Sequence, residues 1–178
     1  MTPLAAPTDV MRYLDQRVRS AQAELAVQLA SAVVRNHCAW RLDRGVDALV
    51  VHNPGTGPSV LLPTLALRAV TEVRIGEQLI DPGAYIFSPG GVLTFGGLLA
   101  GDWPVEATCE HGYDPIPDEI RAVVLMMASR AVVNPQGLRS VNVGGYSEVY
   151  TIPASGEHTG LTLTAAEKRI LDRHRVFP

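Results

Sequence analysis

Cys109-Glu110-His111 places a thiol and an imidazole two residues apart, and His37-Cys38 supplies a second such pair. On a strand, positions 109 and 111 share a face, so four nitrogen and sulfur ligands could be drawn into a zinc site. The spacing argues otherwise. Paired Cys-x2-Cys motifs are absent, and His37 and Cys38 diverge if that segment is helical. Two cysteines are also too few for a secreted disulfide scaffold, so buried free thiols and no metal are expected. A Cys–His nucleophile from 109 and 111 fares no better, because the two side chains stand parallel and no third group orients the base.

Other candidates also fail on context. Asn53-Pro-Gly-Thr-Gly-Pro58 lacks the Gly-Lys-Ser/Thr ending of a phosphate loop and runs into a strand, not a helix. Gly90-Gly91, Gly96-Gly97 and Gly144-Gly145 lack the strand–helix setting of a dinucleotide fingerprint. Asp114, Asp118 and Glu119 could pair for acid–base work, but acids at a helix start are the simpler reading. No catalytic constellation is left, so no enzyme activity and no cofactor are expected.

The elements that would carry these residues follow from periodicity. Thr8 or Asp9 caps a short helix over 8–15, and a stronger helix runs over 20–36. In that helix Ala21, Leu25, Leu29, Ala32 and Val33 keep i, i+4, i+8 spacing, widened by Ala26, Ala30 and Val34, a width that suggests contact on two sides. Across 41–112 the period changes to short β-branched and aromatic runs at 46–52, 59–62, 70–75, 85–87, 92–95 and 105–111. Turn signals such as Asp81-Pro82-Gly83 separate them, giving a small antiparallel sheet or partial barrel. A third helix over 117–134 shows Ile120, Val123, Val124, Met127, Ala128 and Ala131 on one face, and Pro135 ends it. The expected core joins Leu25, Leu29 and Val33 to Ile120, Val124, Met127 and Ala131.

A hairpin over 140–152 and a linker at 153–160 follow, and Thr164-Ala-Ala-Glu167 reads as a capping box opening a last helix. The fold class is α+β: a small helical bundle with an inserted antiparallel β region and a C-terminal helical arm. Residues 1–152 form the body and 153–178 the arm. In the arm Lys168, Arg169, Arg173 and Arg175 supply charge and Ile170 and Leu171 apolar contact, a docking set for an adjacent subunit or another partner. A helix of about ten residues is marginal alone and needs a surface.

Composition narrows the class. The 178 residues are 47% apolar and 19% charged, which fits one domain and excludes general disorder. Residues 46–117 carry −6, against +2 over 1–45 and +1 over 118–178, and phosphate gripping by that middle is disfavoured. Residues 82–101 are uncharged over twenty positions, but Pro82, Pro89 and six glycines would leave backbone groups unpaired in lipid. Without a signal-like N-terminus, the expectation is a soluble, intracellular protein that does not touch membrane.

One longer pattern carries more. His111-Gly-Tyr-Asp-Pro-Ile-Pro-Asp-Glu-Ile-Arg-Ala-Val-Val-Leu125, Arg130-Ala-Val-Val-Asn-Pro-Gln-Gly-Leu-Arg-Ser140 and Val143-Gly-Gly-Tyr-Ser147 resemble head–tail adaptor (connector, head-completion) proteins of long-tailed bacteriophages, in the form common in phages of actinobacteria. Tyr13-Leu14, the 23–38 stretch and the 160–173 ending fit the same family, with 76–104 matching least. The resemblance implies a subunit of the virion neck, assembled from host cytoplasm. Copies of it form a ring, commonly twelvefold, beneath the portal protein. Double-stranded DNA passes through the ring without sequence-specific binding, and the stopper or tail protein docks below. The alternatives are a stopper or tail-terminator subunit of the same neck, a small soluble enzyme with an unrecognised site in the β region, and a small nucleic-acid-binding module.

Overall fold

In the computed structural model the described residues are 2–15, 18–52, 57–97, 99, 101, 103–134, 140–143, 146–149 and 161–176. The chain divides into two compact units, one helical (Met1–Cys38 with Ile116–His174) and one of β structure (Ala39–Pro115 with Arg175–Pro178). The class is α+β, as the periodicities predict.

The helical unit contains α1 (Pro7–Tyr13), α2 (Ser20–Cys38), α3 (Asp118–Val133) and α4 (Ala165–Leu171), with a β8–β9 hairpin of Ser140–Val143 and Tyr146–Val149. Helix α1 starts one residue before the expected cap. Ala6 is the N-cap without a side-chain bond, and Pro7 at the first position pre-sets φ, so Thr8 and Asp9 lie inside the helix. Helix α2 runs two residues past Asn36, to Cys38. Ala39 at φ 64° is the left-handed residue that stops it. The capping box at α4 is complete: Thr164 accepts from the Glu167 N–H, and Glu167 accepts from the Thr164 N–H.

Packing in this unit corrects part of the expected core. Ile120, Val124 and Met127 of α3 are fully buried, with Val123 and Ala128 beside them, while Ala131 is half-buried. On α2, however, the buried face is Ala23, Ala26, Val27, Ala30, Val34 and Cys38. Leu25 and Leu29 are 57% and 42% exposed, and Val33 is half-buried. The physical reason is rotational. Leu25 and Val27 lie about 200° apart on a helix of 3.6 residues per turn, so one faces out when the other faces in. The alanine-rich face lets α2 approach α3 closely, and Ser31 satisfies the tail of the chain by accepting from the Leu4 N–H at 3.0 Å.

The β unit holds β1 (Gly45–His52), β2 (Ser59–Leu61), β3 (Leu67–Ile75), β4 (Gln78–Leu79), β5 (Tyr85–Phe87), β6 (Val92–Phe95) and β7 (Pro104–His111). They form two antiparallel sheets, ordered β1-β7-β3-β4 and β2-β6-β5. Alternate residues of each sheet share one core: Val105, Ala107 and Cys109 of β7 and Val73 of β3 meet Val60, Leu93, Phe95 and Tyr85 from the smaller sheet. Gly112 closes the end of this unit at φ 100°, and its N–H donates to Ala66 O at 2.9 Å. A Cβ there would lie 2.3 Å from the Asp43 carbonyl oxygen and 2.8 Å from Arg44 N. Both are backbone atoms that cannot swing aside. Gly112→Ala should therefore destabilise the β unit by about 2–4 kcal/mol in denaturant unfolding.

Candidate interaction surfaces

The residues singled out for chemistry occupy two separate settings. His111 is 1% exposed. Its Nε2 lies 3.1 Å from Asp47 Oδ2 on β1, and its Nδ1 lies 3.2 Å from Thr64 Oγ1. Trp40 stacks on the imidazole at a centroid distance of 6.2 Å, and Tyr113 meets Trp40 edge-on. Both oxygens of Asp47 in turn accept from Arg41 Nη1 at 3.2 Å, and Arg41 Nε donates to the Asp43 carbonyl. With Nε2 donating to Asp47, both ring nitrogens have a partner. The order hydroxyl, imidazole, carboxylate is that of an activated nucleophile. Thr64, though, is wholly buried, and its Oγ1 also accepts from the Ala66 N–H. The network joins β1, β7 and the 62–66 loop, and its hydroxyl is closed off from solvent.

Cys109 is also fully buried, and burial together with Asp47 pushes its thiol up to about 11, away from the reactive thiolate. Cys38 is buried in the other unit, with Sγ 4.0 Å from Leu171 O, while its neighbour His37 turns away to Asp172 at 2.9 Å. The two expected N/S pairs thus fall in different units. Among the described residues no three His, Cys, Asp or Glu side chains gather in a way that could hold a metal ion. Each acid of the suspected carboxylate group is already partnered: Asp114 with Arg44, Asp118 with Arg121, and Glu119 with His174.

The C-terminal helix is a second correction. Leu171, expected to meet a partner, is fully buried against the chain's own helical unit, where α4 lies on α2 and α3. Glu167 is 3% exposed and takes a two-point bond from Arg130, at 2.6 Å and 3.0 Å. The fork of the guanidinium matches the carboxylate, which is what makes such a pair tolerable in the interior. Lys168, Arg169, Ile170 and Arg173 point outward, whereas Arg175 is half-buried. The linker at 153–160 and the turn at Gly144-Gly145 lie outside the described residues.

What the surface offers instead is apolar area. In the helical unit Ala21, Leu25, Leu29 and Ala32 form an outward stripe along α2, and Met126 and Val133 are exposed on α3. In the β unit the outer face of the larger sheet shows Val46 and Val50, and the outer face of the smaller shows Leu61 and Ile86, the latter 73% exposed. Single exposed apolar residues are ordinary, but stripes on several faces mark a chain meant to be covered. Periodicity alone missed the sheet face. The sign of it was β1 itself, whose Val46, Ala48 and Val50 alternate with Leu49 and Val51, so that both faces are apolar.

With this geometry the comparisons can be weighed. No protein-family model and no curated protein sequence matches the chain. Among solved structures, it is similar to a chain in the neck of a native gene transfer agent particle, a phage-like particle, computed with C12 symmetry. Identity is 15%, the TM-score is 0.59, and the match covers 100% of this chain and 94% of that one. A chain in the neck of an empty gene transfer agent particle, computed with C6 symmetry, matches at 14% identity with the same TM-score. The likeness is one of fold, and it spans both units. Among the described residues no helix is long and apolar enough to cross a membrane.

Proposed function

We propose that this chain is a structural head–tail adaptor of a phage or phage-like particle. In this reading copies form a ring, twelve in number, below the portal protein, extend the DNA channel, and give the stopper or tail protein a platform. The chain resides in the neck of the virion after assembly in the host cytoplasm. The observation that carries the reading is the whole-chain fold likeness to a chain of a particle neck, in a molecule whose apolar stripes are left exposed among the described residues. A ring needs two different patches per copy and a rotation that closes. Exposed apolar faces on both units supply candidates for both patches. The −6 of residues 46–117 suits a channel through which DNA slides without being gripped. No enzymatic step enters this role.

Native mass spectrometry of the purified full-length chain tests it. A closed homo-oligomer is expected, each copy burying more than ~1,000 Å² against its neighbours. A monomer carrying a small-molecule ligand would favour an enzyme instead, and salt-dependent affinity for duplex DNA would favour a nucleic-acid module.

A further inference from the structure

We propose that the exposed face of α4 docks on the outer face of the β1-β7-β3-β4 sheet of a neighbouring copy, an interface that rests on the ring reading above. The sheet face is built in rows. Pairing aligns Val50, Glu106, Arg74 and Leu79 across the four strands, and the next row holds Ala48, Thr108 and Glu72. Val50 and Leu79 are more than half exposed, and Glu106 is exposed between them. Arg74 bonds to Glu72 beside it and also attracts Glu106 across the ladder, so two carboxylates share one guanidinium. The face therefore carries exposed apolar side chains on its two outer strands and an excess of negative charge between them.

The α4 face is its counterpart. Ile170 is 37% exposed, on a helix that also turns Lys168, Arg169 and Arg173 to solvent, none of which forms an ion pair among the described residues. The arginines of residues 39–115, by contrast, are used internally: Arg41, Arg44 and Arg74 hold carboxylates, and Arg68 holds the Gly112 and Asp114 carbonyls. The two patches are opposite in sign, each includes exposed apolar side chains, and they sit on different units of the same chain. That is the form of a head-to-tail contact, which can repeat around an axis, and not of a two-fold one. Exposed apolar side chains on both patches also match protein better than DNA, whose phosphates are met by polar and charged groups.

The test is a charge exchange read by analytical ultracentrifugation of the full-length chain. Glu106→Arg and Arg169→Glu should each weaken self-association by about fivefold, and the double variant should recover most of it. A second arm mixes Glu106→Cys copies with Arg169→Cys copies under mild oxidation. Cys38 and Cys109 are both fully buried, and the mixed disulfide should predominate over either homodimer. If the wild-type chain assembles but neither reversal weakens it, or the double variant is no better than the singles, the interface is wrong while the ring stands. If the chain stays monomeric and gives no mixed disulfide, both fall. Binding of duplex DNA that Arg169→Glu abolishes would overturn the protein partner.

Discussion

Met127→Ala is expected to cost the helical unit about 2–5 kcal/mol, the usual range for emptying a fully buried methionine site. The side chain lies on the buried face of α3 with Ile120, Val123 and Val124, and the alanine-rich buried face of α2 has no long apolar side chain to fill the void. Leu25→Ala is the matched comparison. Leu25 is larger than any buried apolar residue of α2, yet it faces outward, so its removal should change stability by less than about 0.5 kcal/mol. Chemical denaturation followed by circular dichroism separates the two. Equal losses would mean that α2 is rotated from the orientation described here.

The second large effect is at Arg130. Arg130→Ala strips the partner from a carboxylate that is almost wholly buried, and losses of about 3–5 kcal/mol follow when a buried pair is broken from one side. Replacing both residues, Arg130→Met with Glu167→Met, should recover much of that loss, because no uncompensated charge remains. The pair also dictates an acid dependence. Burial pushes the Glu167 carboxyl up, but the bonds from Arg130 and the Thr164 N–H outweigh it and hold the group below its ordinary value of 4.5. The unfolded chain thus binds a proton more readily than the folded one. The stabilisation is complete above the ordinary carboxylate range and is lost as pH falls through the lower, folded-state value. In Arg130→Ala bonding to Thr164 alone is left to oppose the burial, so the loss of stability on acidification should shrink. Unfolding free energies measured across mildly acidic pH would show the shallower slope of the variant.

The same helix bears on how the arm can be examined. Deleting 160–178 removes Leu171 and Glu167 from the helical unit along with the exposed cations. Truncation would therefore damage the fold and the docking surface together, and changes confined to exposed positions of α4 are the cleaner probe.

Much of the fold was legible from period and punctuation. The switch from 3.6-residue to two-residue spacing near position 41 and back near 117 marks where the β unit is inserted between helices. Turn residues bounded most of its strands to within a residue or two, because Asp81-Pro82-Gly83 or Gly76-Glu77 can do little else locally. The capping box at Thr164 was equally plain, since both of its bonds are set within four residues.

The rotation of α2 was not legible. Both of its faces are apolar, and a hydrophobic stripe does not say whether it meets its own chain or another. Leucines are the stronger hydrophobes, so the reading put Leu25 and Leu29 inside. Close approach to α3 instead favoured alanine, a choice decided by helix-to-helix distance and invisible in one sequence. The same limit hid the Thr64–His111–Asp47–Arg41 chain. Its members lie 47 and 64 residues from the histidine at Thr64 and Asp47, and only the strand register brings them together. Leu171 was misassigned for a related reason: an apolar residue on a short basic helix marks a contact, but not whose.

The account stands or falls on where the chain sits in an assembled particle. A cryo-EM map of the neck of the particle that carries it is the direct measurement. Twelve copies should surround the channel directly below the portal, with the outward stripes of the helical and β units covered by neighbouring subunits. A map that places the chain outside the neck, or at another symmetry with those stripes bare, would contradict it.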